Sequence, residues 1–169
     1  MTAPTAPTKP TLRDTFYTCL KHGYSVIPLQ PGSKKPLLQS WKEYQDRLPT
    51  PEEVEEWLRK WPDANLGIIT GAVSKLVVVD VDRDHGGDES LPELLPDPLP
   101  DCGIVRTPHG RHLYFRHPGP GRRIANRVGI RPGIDIRGDG GYVVGPGSVV
   151  DGVEYVDLSE SGEGTDDAA

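Results

Sequence analysis

Asp80 and Asp82 close the run Leu76-Val77-Val78-Val79-Asp80-Val81-Asp82, and a third carboxylate, Asp135, stands between Ile134 and Ile136. Residues two apart in an extended strand share a face, which sets Asp80 and Asp82 side by side at the strand's end. Like charges that close repel unless a cation lies between them, and carboxylate oxygens suit Mg²⁺ or Mn²⁺. A solvated strand exit can carry the same Asp-x-Asp. Asp135 shifts the balance, since a carboxylate between isoleucines is costly to bury without a partner, which a shared metal would supply. The plain alternative for Asp135 is a solvent-facing position on an edge strand. His112 lies in Arg111-His112-Leu113-Tyr114-Phe115-Arg116, where alternation places His112 and Tyr114 on one face and Arg111, Leu113 and Phe115 on the other. A half-buried ring bonded to a backbone carbonyl is the structural alternative for His112. Three carboxylates beside a cluster of bases fit metal-assisted phosphoryl transfer, in which Arg and His hold the outer phosphates.

The elements that must position these groups follow from pattern. Thr11 caps a helix reaching about Lys21, with Leu12, Phe16, Cys19 and Leu20 on one face and Gly23 as the stop. Tyr24-Ser25-Val26-Ile27 reads as a short strand ended by Pro28, and the loop Gln30-Pro31-Gly32-Ser33-Lys34-Lys35-Pro36 brings two lysines that could lean over a triphosphate. Thr50-Pro51-Glu52-Glu53 is a capping box opening an amphipathic helix with Val54, Trp57, Leu58 and Trp61 on its buried face. Asn65-Leu66-Gly67-Ile68-Ile69-Thr70-Gly71 reads as a second buried strand, expected to form a hairpin with residues 76–81 through Ala72-Val73-Ser74. Residues 85–101 form a surface excursion with one or two helical turns around residues 90–95. Residues 104–106 and 111–116 are expected as strands about a turn at Pro108, and 117–132 as a loop. Ile134-Asp135-Ile136-Arg137 and Tyr142-Val143-Val144 then look like a β-hairpin, and residues 153–156 like an edge strand.

At 169 residues, with 20 Gly and 18 Pro, the chain reads as one turn-rich domain with a real core. Residues 1–10 form a flexible leader, 11–156 the folded unit and 157–169 an acidic tail or linker. Cys19 and Cys102 form no metal-binding or disulfide pattern. No apolar run approaches a membrane span and no signal peptide opens the chain, which makes the cytoplasm the expected location and no membrane the expected partner. The net charge of −6 is unfavourable for nucleic acid only until it is divided along the chain: the last thirteen residues hold five acids and no base, leaving 20 acids against 19 bases in residues 1–156. Residues 103–134 contain seven arginines and no acid, a surface suited to phosphates through bidentate Arg contacts.

The blocks Val79-Asp80-Val81-Asp82, Arg106-Thr107-Pro108-His109-Gly110-Arg111-His112-Leu113-Tyr114-Phe115 and Gly133-Ile134-Asp135-Ile136-Arg137-Gly138-Asp139-Gly140-Gly141-Tyr142-Val143-Val144 resemble the signature of the prim-pol domain. This is the bifunctional DNA primase/polymerase catalytic domain of the archaeo-eukaryotic primase superfamily. Gly23-Tyr24-Ser25-Val26-Ile27-Pro28-Leu29, Lys35-Pro36 and Asn65-Leu66-Gly67-Ile68-Ile69-Thr70-Gly71 are similar to its N-terminal blocks, so the resemblance spans roughly residues 12–156. It implies an α+β fold, an RRM-like sheet joined to a second α/β unit with the active site in the groove between them. It also implies that Asp80, Asp82 and Asp135 bind two divalent metals, Mg²⁺ or Mn²⁺. His112, Arg111, Lys35 and Arg137 become the contacts to the incoming nucleotide. One departure stands out: Gly110 occupies the place of the superfamily's Ser in its Ser-x-His motif.

The implied reaction is template-directed nucleotidyl transfer from a (d)NTP to a primer 3′-hydroxyl on single-stranded DNA, with release of pyrophosphate, in the replication of a plasmid, phage or mobile element. In related proteins a helicase domain often follows on a longer chain. Two other classes use some of the same residues. A metal-dependent nuclease would use the carboxylates without a triphosphate cradle, and a non-catalytic RRM-like single-strand binder would need exposed aromatics, for which only Tyr114, Phe115 and Tyr142 are at hand.

Overall fold

The computed structural model describes residues 2–4 and 8–159. The chain is α+β. Helix α1, Leu12–His22, opens on a full capping box between Thr11 and Asp14, and Gly23 closes it in the left-handed conformation (φ 99°). Strand β1, Val26–Leu29, leads through the lysine loop to α2, Pro51–Lys60, whose capping box pairs Thr50 with Glu53 and starts on Pro51. Strands β2, Asn65–Ile69, and β3, Leu76–Asp82, follow. Short helical turns then run from Arg83 to Glu93, including α3, Gly87–Ser90. The remainder is β: β4, Gly103–Thr107; β5, Gly110–Arg116; β6, Arg127–Arg131; β7, Ile134–Arg137; β8, Tyr142–Val144; β9, Val149–Val150; β10, Val153–Glu154; and β11, Val156–Asp157.

These strands form a three-stranded antiparallel sheet, β1-β2-β8, a small β9-β10 pair, and a six-stranded antiparallel sheet in the order β11-β4-β5-β3-β7-β6. The larger sheet has two different faces, and β3 shows why. Val79 and Val81 point into one apolar cluster with Leu91, Leu113 and Ile134, roofed by the helical turns after β3. Leu76 and Val78 point the other way, into the main core with Phe16, Ile27, Val54, Trp57 and Ile68 from α1, α2 and the smaller sheet. Alternation then carries Asp80 and Asp82 out on that second face, beyond the apolar part of the strand. The same alternation buries Leu113 and Ile134 in the smaller cluster and turns His112 and Asp135 toward the carboxylates.

Several pairings differ from the pattern-based expectation. β2 does not form a hairpin with β3: only Gly71 and Leu76 bridge, and the strands part into different sheets, β2 pairing with β1 and β8. Likewise β7 and β8 are not a hairpin. β7 pairs with β3 and β6, while β8 crosses to β2. In both cases a short connection read as a hairpin is a crossover between sheets, a choice made by burial on both partners and invisible in the local turn. Pro28 does not end β1 but sits within it opposite Leu66, on an edge strand where proline is tolerated, and its carbonyl accepts from Leu37 N–H at 3.0 Å. The expected loop at 117–132 contains β6, bulged between Arg127 and Arg131. Helical turns start at Arg83 rather than near residue 90, with Leu91 buried beneath them. The edge strand expected at 153–156 is split, β10 pairing with β9 and β11 with β4, so Asp157 belongs to the fold rather than to the acidic tail. The rest of that tail from residue 160, and residues 1 and 5–7 of the leader, lie outside the described residues. Among the described residues no helix is long and apolar enough to cross a membrane.

Candidate active site

Strand register builds the site. On β3, Asp80 is the direct partner of His112 on β5 and of Asp135 on β7, so one row across three adjacent strands carries an imidazole and two carboxylates. Asp82, two residues further and on the same face, pairs with Gly110. A Cβ on Gly110 would sit 1.9 Å from the Val81 carbonyl oxygen, so a serine could not occupy this backbone as it stands. The departure from Ser-x-His is therefore built into how closely β5 passes β3.

Each carboxylate has its own surroundings. Asp80 Oδ1 lies 3.6 Å from His112 Nε2, beyond hydrogen-bond length but close enough for ion pairing. Burial pushes the Asp80 carboxyl upward, but the adjacent His112 ring and then the Arg137 and Lys34 charges outweigh it and hold it below its ordinary value. Asp82 accepts from the Asp84 backbone N–H at 2.9 Å and from the His85 Nδ1–H at 2.8 Å. These bonds overcome its partial desolvation and keep it ionised to lower pH than a free aspartate. Asp135 accepts from Gly129 N–H at 2.8 Å and from Arg137 Nη2 at 3.3 Å, so its burial between isoleucines is compensated within the chain. His112 is buried, and among the described residues its Nδ1 has no hydrogen-bond partner. A second dyad, His109 Nδ1–H to Asp84 at 2.7 Å, stands at the rim.

Two cavities of about 270 and 300 Å³ open on this row and share Lys34, Asp80, His112 and Tyr155. They flank the Asp80–His112 pair as two chambers, each near the lower end of the ~300–1,000 Å³ typical of small-molecule sites. The first chamber adds Asp82, Asp135, His85 and His109. The second adds Arg137, Asn126, Trp41, Tyr142 and the backbone of Gly140 and Gly141.

Asp80, Asp82, Asp135, His112 and Arg137 thus line one two-chambered cleft, and two other expected contacts do not. Arg111 is on the opposite face of β5, paired with Asp88 at 3.5 Å, its Nε buried and, among the described residues, without a hydrogen-bond partner. Of the loop lysines it is Lys34, not Lys35, that lines both chambers, and the Tyr142 hydroxyl donates to the Lys34 carbonyl at 2.7 Å. Tyr155 is the other residue that sequence pattern missed. It comes from beyond the last signature block, its ring centroid is 5.9 Å from that of His112, and burial followed by the Asp80 charge pushes its hydroxyl up to about 12. Trp41 carries no motif, and only its place in the second chamber marks it.

The carboxylate donors are of the type that hard divalent cations take. As the side chains stand, among the described residues no three His, Cys, Asp or Glu groups converge as a metal-binding cluster. The donor chemistry fits such an ion, while the present hydrogen bonds engage Asp82 and Asp135 elsewhere.

No curated protein matches the chain. The family model for the bifunctional DNA primase/polymerase N-terminal domain matches residues 17–166, which include every residue of this cleft, and the chain therefore belongs to that family.

Proposed function

We propose that the chain performs template-directed nucleotidyl transfer, as a DNA polymerase, a primase or both, in the replication of a plasmid, phage or mobile element. The observation that carries this reading is the row His112–Asp80–Asp135 across β5, β3 and β7, with Lys34 and Arg137 bordering the same cleft. Anionic and cationic groups so divided suit a triphosphate with its reacting end among the carboxylates and its outer phosphates on the bases. Residues 11–156 act as the catalytic unit. The six-stranded sheet serves as the RRM-like half, the smaller sheet with α1 and α2 as the second unit, and the cleft between them as the active site.

Asp80, Asp82 and Asp135 would hold two divalent ions, Mg²⁺ or Mn²⁺, exchanging their present partners to do so. Bound there, the ions supply charge neutralisation at the α-phosphate and a lowered pKa for the attacking hydroxyl. His112, Lys34 and Arg137 hold the β- and γ-phosphates, and Arg111 and Lys35 contribute from outside the cleft, to template or primer backbone. The primer 3′-oxygen forms the new bond to the α-phosphorus as the bond to pyrophosphate breaks. The exposed arginines among residues 122–131 track single-stranded template, whose sequence is read by base pairing.

The test is extension of a labelled primer on single-stranded DNA with dNTPs and Mg²⁺ or Mn²⁺, wild type beside Asp82→Ala. Extension by the wild type that is lost in the variant supports the reading. Metal-dependent shortening of the strand without extension would instead identify a nuclease.

A further inference from the structure

The two chambers differ in chemistry. Beyond the shared residues, the first adds two carboxylates and two imidazoles beside Val81, Thr107, Pro108 and Val128, whereas the second, among the described residues, adds no carboxylate and has an aromatic wall of Trp41 and Tyr142. Trp41 and Tyr142 meet edge to face there, with ring centroids 5.2 Å apart and an interplanar angle of 77°. Tyr142 is fixed by its hydroxyl bond to the Lys34 carbonyl, so the wall is tied to the loop that presents Lys34. The one side-chain amide in this chamber is already engaged: Asn126 Oδ1 accepts from Gly138 N–H at 2.8 Å, and its Nδ2 donates to the Asp139 carbonyl at 3.4 Å. What remains beside the Lys34 and Arg137 cations is a half-buried indole.

Resting on the nucleotidyl-transfer reading, we infer that Trp41 is the base-contacting residue of the incoming nucleotide. The phosphates lie on His112 and Lys34 at the junction and on Arg137 beside it, and the nucleoside extends into the second chamber with its base against the indole. A flat ring with an apolar face meets two aromatic side chains there, whereas the apolar side chains of the first chamber, Val81, Pro108 and Val128, stand beside its carboxylates. Stacking suits a templated enzyme, because every base offers a π-face and the choice among bases is left to pairing. Trp41 thus makes the site prefer a nucleotide to bare polyphosphate without preferring one nucleotide.

The experiment is equilibrium binding of each of the four dNTPs, and of inorganic tripolyphosphate, with Mn²⁺ present. Trp41→Ala and Trp41→Leu are expected to weaken all four dNTPs about tenfold, to leave tripolyphosphate within about twofold, and Trp41→Phe to retain most of the affinity. Unchanged tripolyphosphate binding also shows that the variants are folded. Loss of tripolyphosphate binding in step with dNTP binding would overturn the inference, since Trp41 would then only support the Lys34 loop. Unchanged dNTP binding, or a loss confined to one base, would overturn it as well. Wild-type protein that binds neither ligand would sink the nucleotidyl-transfer reading itself, and the inference with it.

Discussion

Asp80 on β3 and Asp135 on β7 are direct cross-strand partners, two carboxylates set side by side in the middle of a sheet. Directly opposed like charges cost roughly 0.2–1 kcal/mol, which a protein retains where function needs them. Asp135→Asn is therefore expected to keep or slightly raise Tm without added metal while primer extension is lost. Added Mn²⁺ should raise the Tm of the wild type and not that of the variant. Thermal unfolding with and without Mn²⁺ checks both, and a variant several degrees less stable than the wild type would contradict the assignment.

Gly110 marks where β5 passes closest to β3. Its Cβ would lie 1.9 Å from the Val81 carbonyl oxygen, a backbone atom that cannot swing aside. Gly110→Ala is expected to cost ~3 kcal/mol or more in urea denaturation, by forcing apart the strands that carry His112 and Asp80. A cost under ~1 kcal/mol would mean that the sheet yields readily at this point.

Lys34 and Lys35 are adjacent in sequence but differ in place, Lys34 lining both chambers. A charge-assisted hydrogen bond to phosphate is worth ~1.5–3 kcal/mol, so Lys34→Ala should raise KM for dNTP by about tenfold or more. Lys35→Ala should stay within about twofold. Steady-state extension kinetics separate the two, and equal effects would remove the distinction.

How far the site could be read from sequence depended on how local each signal was. The carboxylates, His112 and Arg137 sit in strands whose alternation fixes the face, so Asp80, Asp82 and Asp135 group together from the sequence without knowledge of the strand pairing. The two longer helices, α1 and α2, are equally legible, because Thr11 with Asp14 and Thr50 with Glu53 are capping boxes complete within four residues. Pairing across the chain is not. The turns after Gly71 and Gly138 look like hairpin turns, yet β2 and β8 join one sheet and β3 and β7 another. The resemblance implies a nucleotide contact for Arg111, whereas strand alternation puts it on the face opposite His112, which is where the structure has it. Trp41 reaches the cleft from a segment without a recognisable pattern, and Tyr155, within the expected edge strand at 153–156, reaches it only through tertiary packing.

Glu53 gives the fold an acid limit. Its bond to Arg47, with the Tyr44 hydroxyl and the Thr50 N–H, outweighs partial burial and holds its pKa at about 2, against an ordinary 4.5. A depressed folded pKa contributes stability that is complete above the unfolded pKa and is lost as pH falls toward the folded one. Partly solvated, the group is worth about 1 kcal/mol. Glu53→Gln should be less stable than the wild type by that amount at pH 6, and the gap should close between pH 4.5 and 2. Urea midpoints across this range test it, and a gap that does not change with pH would contradict the ion-pair origin.

The most direct measurement of the central claim is single-nucleotide incorporation on a set of templates differing only at the first unpaired base, with wild type and Asp80→Ala compared in Mn²⁺. The added nucleotide should follow the template base in the wild type, and incorporation should vanish in the variant while its Tm stays within a few degrees. Incorporation that ignores the template, or that survives loss of Asp80, would contradict a templated nucleotidyl-transfer site built on the His112–Asp80–Asp135 row.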